Sequence, residues 1–277
     1  MLLNTKLLIF LMHQQNMTKI YNLTLDTSSP LNQFEIRDLF SLDASILGNL
    51  HISLTNIGLY LIIGIFFLLI VKVLSTNFNK LVGNKWSISQ ESLYATIHSI
   101  VTNQINPRNG QNYFPFLYAL FIFILINNLI GNCPYSFAST SHFVLTFALS
   151  FTIVLGATIL GFQKHGLVFF SLLVPAGCPL ALLPLLVLIE FMSYLARNIS
   201  LGLRLAANIL SGHMLLNILA GFTYNIMTSG IIFFFFGLVP LSFIMAFSGL
   251  ELGIAFIQAQ VFVVLSSGYV KDGLDLH

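Results

Sequence analysis

The sequence predicts an all-α membrane protein with about five membrane-embedded helices, an amphipathic surface helix, and a long, strongly tilted hairpin made by the last two helices. Three observations predict it. Only 7% of the 277 residues are charged while 57% are hydrophobic, against about 25% charged in a soluble domain. Apolar runs long enough to cross a bilayer recur from residue 56 onward, and the loops between them carry lysine or arginine. Residues 184–269 hold two apolar segments, each longer than one crossing requires.

Residues 1–50 read as an N-terminal extension, either a removable leader or a loose retained segment, and residues 51–277 as the membrane-embedded domain. The apolar run Leu7–Met12 is too short to span a bilayer, and Asp26, Glu35, Asp38 and Asp43 against Arg37 make the next stretch mildly acidic. The first span runs from Asn56 to Leu74, with Lys72 placed to snorkel and Lys80 and Lys85 following. The positive-inside rule puts that loop on the inner side and the N-terminus on the outer side. Trp86–Ile105 gathers Leu93, Ile97, Ile100 and Val101 on one face, which predicts an amphipathic helix on the inner surface, opened by a capping box at Ser87 and Gln90.

The second span, Tyr113–Ile130, opens with Pro115 in its first turn, and the polar loop Gly131–Ser141 returns the chain from the outer side. The third, Phe143–Phe162, ends at Lys164 and His165, again basic and inner. Leu167–Pro184 is broken by Pro175, Gly177, Pro179 and Pro184, so it predicts a short helix and turn. A helix from Pro184 to about Ala220 follows, then a segment from Asn225 to Tyr269 interrupted by Gly237 and Pro240. About 36 residues at about 1.5 Å each make roughly 54 Å, against a hydrocarbon core of about 30 Å. Neither end is polar enough for water, so the hairpin is expected to tilt by more than about 50°, beyond the common average of about 20°.

Composition also narrows the function. A net charge of +2 gives no reason to expect nucleic acid or an acidic substrate. Phosphate-binding, dinucleotide and His-Glu-x-x-His patterns are absent, so no nucleotide site, cofactor or metal is expected on this chain. Cys133 and Cys178 stand far apart in apolar surroundings and read as packing residues.

Charge inside the membrane is the informative feature. Between Gln111 and Val270 the charged residues are Lys164, explained by topology, and Glu190, Arg197, Arg204 and Glu251. An arginine at bilayer depth costs about 2.5–3.5 kcal/mol on insertion scales, so such residues face protein or water and mark a pathway. Glu190, Ser193, Arg197, Ser200, Arg204, Asn208 and Ser211 recur at steps of three or four and share a helix face, whereas His213 falls on the opposite one. Glu190 and Arg197 are spaced to neutralise one another; Arg204 has only Ser200 and Asn208 nearby. A guanidinium stays protonated, so it attracts a carboxylate but cannot hand on a proton, which suits a barrier between two proton-conducting spaces. On the last helix Ser248, Glu251, Ile254, Ile257 and Gln258 are assigned to one face. In an antiparallel hairpin turning between Gly221 and Gly230, His213 and Glu251 approach near the outer side, a pair suited to a proton relay.

Ser200-Leu201-Gly202-Leu203-Arg204-Leu205, Asn208, Gly212-His213, and Glu251 with Gln258 resemble subunit a of the rotary, proton-translocating F-type ATP synthase, over residues 50–270. The resemblance implies that Arg204 faces a ring of c subunits, that His213, Glu251, Asn208 and Gln258 line an outer half-channel, and that Glu190 belongs to an inner one. It further implies a non-catalytic stator of the mitochondrial inner membrane, with peripheral-stalk subunit b and other membrane-sector subunits as partners. His213 with Glu251 looks like the mitochondrial arrangement; Ala206 and Ala207 depart from the bulkier or glycine residues often found after the arginine. The main alternative is a self-contained ion or solute transporter, and no second copy of the Arg204 motif supports it. An intramembrane hydrolase would need an activated nucleophile, and Ser211 and His213 point apart on a helix.

Overall fold

The computed structural model describes residues 31–44, 50–76, 83–105, 107–133, 136–174 and 182–274. Leu7–Met12, Lys80, Pro175, Gly177, Cys178 and Pro179 lie outside them. The chain divides into two compact units, residues 1–35 and 36–277. The described part of the first contains one 3-10 turn, Asn32–Phe34.

The second unit opens with an antiparallel strand pair that the hydropathy reading passed over, β1 (Asp38–Ala44) and β2 (Leu50–Thr55), with Leu42 opposite Ile52. The alternation Leu50, Ile52, Leu54 carries the strand period in plain view. Asn56 N–H donates to the Arg37 carbonyl at 3.1 Å, which ties the pair to the start of the first long helix.

That helix, α1 (Asn56–Ser75), is exposed along most of its length, and its Ile62, Ile63, Phe66 and Phe67 suit lipid contact. Helix α2 (Lys85–Gln104) is amphipathic as expected: Ile97, Val101 and the following Ile105 bury against the bundle. Its capping box does not form. The helix begins at Lys85 with Asn84 at the cap, so Ser87 is already inside, and Gln90 accepts instead from the Tyr118 hydroxyl at 3.4 Å.

Helix α3 runs Pro107–Gly131, so Pro115 lies two turns inside rather than at the start. Pro107 takes the first position, where a missing N–H costs nothing. A buried 3-10 turn, Ser139–Ser141, leads into α4 (Phe143–His165), and a second, Gly166–Leu173, follows. The last two helices are the longest: α5 (Leu183–Thr228) has 46 residues and α6 (Ile231–Leu274) has 44. The first exceeds the length read from the sequence, and the second begins six residues later and ends five later than the segment Asn225–Tyr269. Neither Gly221 nor Gly237 and Pro240 ends a helix, because a backbone in lipid finds no water to replace its internal hydrogen bonds. The chain turns at Ser229 and Gly230, where φ is 154° and a side chain would strain the backbone.

Among the described residues, five helices are long and apolar enough to cross a membrane: α1, α3 from Gly110, α4, α5 and α6. Their shared core is Leu117, Phe121 and Ile124 of α3, Ile153 of α4, Leu205 of α5 and Phe262 of α6. Lipid is as apolar as leucine, so helix association rests on close contact and interhelical hydrogen bonds. A Cβ on Gly202 would stand 2.9 Å from Ser150 Oγ, and one on Gly273 would stand 2.8 Å from the Ala157 carbonyl oxygen. Where α4 ends against the end of α6, Lys164 Nζ donates to the Leu274 carbonyl at 2.7 Å with His165 Nε2 at 2.9 Å from the same oxygen. Two basic residues thus close the C-terminus of α6, where the helix dipole is negative.

Candidate functional site

The hairpin of α5 and α6 carries every residue singled out by the sequence and sorts them into three levels. Nearest the turn, His213 Nε2 stands 3.7 Å from Glu251 Oε1, with both side chains largely shielded from solvent. Gly212 makes the approach possible. A Cβ at that position would lie 2.6 Å from Glu251 Oε1 and 3.0 Å from its Cδ. One step further in, Asn208 Nδ2 donates to Gln258 Oε1 at 2.8 Å.

At the other end, Arg197 reaches Glu190 Oε1 at 3.7 Å and Asp272 Oδ2 at 3.5 Å. Asp272 was missed by the sequence reading, which stopped counting charges at Val270. It sits in the last turn of α6, where an acidic side chain opposes the helix dipole and gains from a cation. The antiparallel register was the signal: with His213 opposite Glu251, the α5 residues four turns inward must meet the end of α6. Tyr269 joins this group, its hydroxyl donating to the Arg197 carbonyl at 3.4 Å. The Arg197 side chain is 44% exposed, so these ion pairs contribute at most about 1 kcal/mol each to stability.

Arg204 occupies the middle level and differs from both groups. It points outward, away from the bundle core, and makes no ion pair with a described residue. Two open cavities flank it. One of about 310 Å³ is lined by Ser193, Arg197, Ser200, Arg204 and Tyr269; the other, about 440 Å³, by Ile199, Leu203, Arg204 and Ala207. Along the helix Arg204 is about 10 Å from Arg197 and about 13 Å from His213, at about 1.5 Å per residue. Behind it Leu201, Leu205, Ala259, Phe262 and Val263 pack with no more than 2% exposure. That layer is apolar and closely packed.

The polar stripe therefore serves two directions. Ser193, Arg197, Ser200 and Arg204 line the outward cavity, whereas Asn208 turns toward α6. On α6 the assigned face needs correction. Glu251, Ala255, Gln258 and Phe262 are buried, but Ile254 and Ile257 are exposed. The true period follows steps of four, three and four, and the isoleucines fall just off it, on the exposed side.

A multi-pass, all-α membrane protein with an exposed arginine that has no ion-pair partner among the described residues, set between two internally paired polar groups, belongs to the class of proteins that handle charge within a bilayer. The chain belongs to the ATP synthase A chain family, which matches residues 57–271. It is 86% identical over 250 residues to ATP synthase subunit a of Podospora anserina, covering 90% of this chain and 95% of that protein. To ATP synthase subunit a of Neurospora crassa it is 84% identical over 256 residues, 92% of this chain and 97% of the relative. The likeness to the Kluyveromyces lactis subunit a is 51% over 255 residues, 92% of this chain and 100% of the relative. Membership gives the chain a membrane-sector, proton-translocating role, and these relatives lend no support to a self-contained transporter.

Proposed function

We propose that this chain is the non-catalytic stator of the membrane sector, presenting two offset proton half-channels to a rotating ring of c subunits in the mitochondrial inner membrane. The outer half-channel ends at His213 and Glu251, with Asn208 and Gln258 below them; the inner one leads past Glu190, Arg197 and Asp272. A proton taken up at the outer side protonates a carboxylate on the ring, travels with the ring, and leaves past Glu190. Arg204 attracts the deprotonated carboxylate as it passes and blocks a direct leak. At about 4 Å and an effective dielectric constant of about 20, that attraction is about 4 kcal/mol. Each proton crossing 100 mV releases about 2.3 kcal/mol, so a leak of even a fraction of the protons would waste much of the drive.

The observation that carries this reading is the outward, unpaired Arg204 in front of a packed apolar layer. A buried structural arginine would face a carboxylate of its own chain. Hairpin length supports the geometry: about 69 Å of α5 and about 66 Å of α6, at about 1.5 Å per residue, exceed the core of about 30 Å. A tilt of about 60° keeps the arms in lipid, lets them follow a curved ring, and opens wedge-shaped aqueous gaps at opposite ends. Peripheral-stalk subunit b and other membrane-sector subunits are the further partners of this reading.

Two measurements test it. A cysteine at Ser200 or Ala207, both exposed beside Arg204, is expected to crosslink to the c subunit in the assembled complex. Crosslinks only to lipid or to other chains would count against the ring as partner. Glu251→Gln is expected to slow proton uptake by about tenfold, followed in membrane vesicles with a pH-sensitive dye; a rate equal to the parent's would remove Glu251 from the path.

A further inference from the structure

The strand pair β1–β2 takes no part in the site described above, yet its cross-strand pairs are strictly sorted. The register sets Phe40 opposite Leu54, Leu42 opposite Ile52 and Ala44 opposite Leu50; between them Ser41 meets Ser53 and Asp43 meets His51. Directly opposed residues share a face of a sheet, and successive pairs take alternate faces. Six apolar residues therefore fall on one face and four polar residues on the other. Phe40 is 74% exposed, and Leu39 and Ile36 beside it are exposed as well. A two-stranded hairpin with one bare apolar face is at best marginally stable in water and needs a further layer. Among the described residues, the pair packs substantially only on itself and on the start of α1.

The place of the pair identifies that layer. Thr55 ends β2 and Asn56 begins α1 with no residue between them, while Asn56 N–H holds the Arg37 carbonyl just ahead of β1. Both ends of the hairpin are thereby fixed at the end of α1 away from Lys72. Helix α1 has 20 residues, about 30 Å at about 1.5 Å each, which matches a hydrocarbon core of about 30 Å. Thr55 therefore stands at the boundary between acyl chains and headgroups. The six residues of β2 extend about 20 Å at about 3.3 Å each, so the whole pair stays within that distance of the boundary. Charge separates two ways of holding a membrane surface. Arg37 and His51 are matched by Asp38 and Asp43, which leaves no cationic surplus for anionic headgroups and makes apolar burial the holding force.

We propose that β1–β2 is an interfacial anchor that lies flat on the membrane where α1 enters it, with the Phe40–Leu54 face set among the upper acyl chains and the Ser41–Ser53 face in water. Lipid is the layer that the hairpin lacks. The free backbone groups along its two edges still need water or headgroups, which holds the pair at the interface and keeps it from sinking deeper. A flat anchor joined to α1 without a linker also fixes the depth and tilt at which that helix sits, and α1 has few contacts of its own to do so.

The test uses the assembled complex in phosphatidylcholine vesicles, with Cys133→Ser and Cys178→Ser as background. Phe40→Cys, Leu54→Cys, Ser41→Cys and Ser53→Cys are each labelled with an environment-sensitive fluorophore, and the signal of the background complex is subtracted. Lipid carrying a nitroxide high on its acyl chain is the quencher. Labels at 40 and 54 are expected to be quenched at least about threefold more than those at 41 and 53, equally at low and high salt. Weak, equal quenching at all four with a water-like emission would leave the face in solvent and overturn the proposal. An apolar emission at 40 and 54 without quenching would mean that a protein covers the face, and would overturn it too. Quenching lost at high salt would point to headgroup attraction and count against apolar burial. As a second variant, Ile52→Asp is expected to lower quenching of the label at 54 to the level seen at 53, whereas Ser53→Asp leaves it unchanged. Equal effects of the two aspartates would also defeat the proposal.

Discussion

Arg204→Gln is expected to abolish proton-driven ATP synthesis while the detached catalytic head keeps its nucleotide hydrolysis. The side chain is exposed and makes no ion pair among the described residues, so its loss leaves no buried group unsatisfied and the subunit should fold and assemble. What disappears is a fixed positive charge worth about 4 kcal/mol of attraction to a carboxylate at about 4 Å, or nearly three decades in an equilibrium constant. The barrier against a direct leak goes with it. Arg204→Lys is expected to recover little, because a lysine ammonium gives up its proton when desolvated and a guanidinium does not. Synthesis rates in reconstituted membranes, with complex assembly checked on the same samples, decide the matter. Unimpaired synthesis in the glutamine variant would remove the central claim.

Gly212→Val should bring the second-largest loss. Even the Cβ of an alanine would lie 2.6 Å from Glu251 Oε1, nearer than real carbon atoms approach. The carboxylate is the free end of a side chain and will rotate away, so the cost to folding is modest, about 0.5–1.5 kcal/mol for an off-rotamer angle. Function bears the damage, because the rotation separates Glu251 from His213. Gly212→Ala is expected to lower proton uptake about tenfold, and Gly212→Val, with two further methyl groups, about a hundredfold, at near-normal levels of assembled complex. An uptake rate for the valine variant within twofold of the parent would show that the close approach of these two side chains is dispensable.

How far the site could be read in advance differs from residue to residue. Arg204, Glu190 and Glu251 stand out because ionisable groups are rare and costly in an apolar sequence. His213 and Glu251 were paired from the hairpin alone, and they lie 3.7 Å apart. Asp272 escaped because its meaning depends on which α5 residue it meets. Gly212 escaped because a missing side chain has no periodicity, and its role is visible only when Glu251 occupies the space.

The sequence by itself determined that the chain is helical, that it crosses the membrane several times, and which ionisable residues lie within the spans. Its spans follow from transfer free energies that add along about 20 consecutive residues, so neighbours in sequence suffice to find them. Only the tertiary structure decided that α5 continues to Thr228, that Ile254 and Ile257 are exposed, and that Asp272 closes on Arg197. It also decided that Arg204 makes no ion pair among the described residues. Those outcomes depend on register and close approach between helices far apart in sequence. In lipid, where apolar burial gives one helix no preference among neighbours, small residues and a few interhelical hydrogen bonds fix that register.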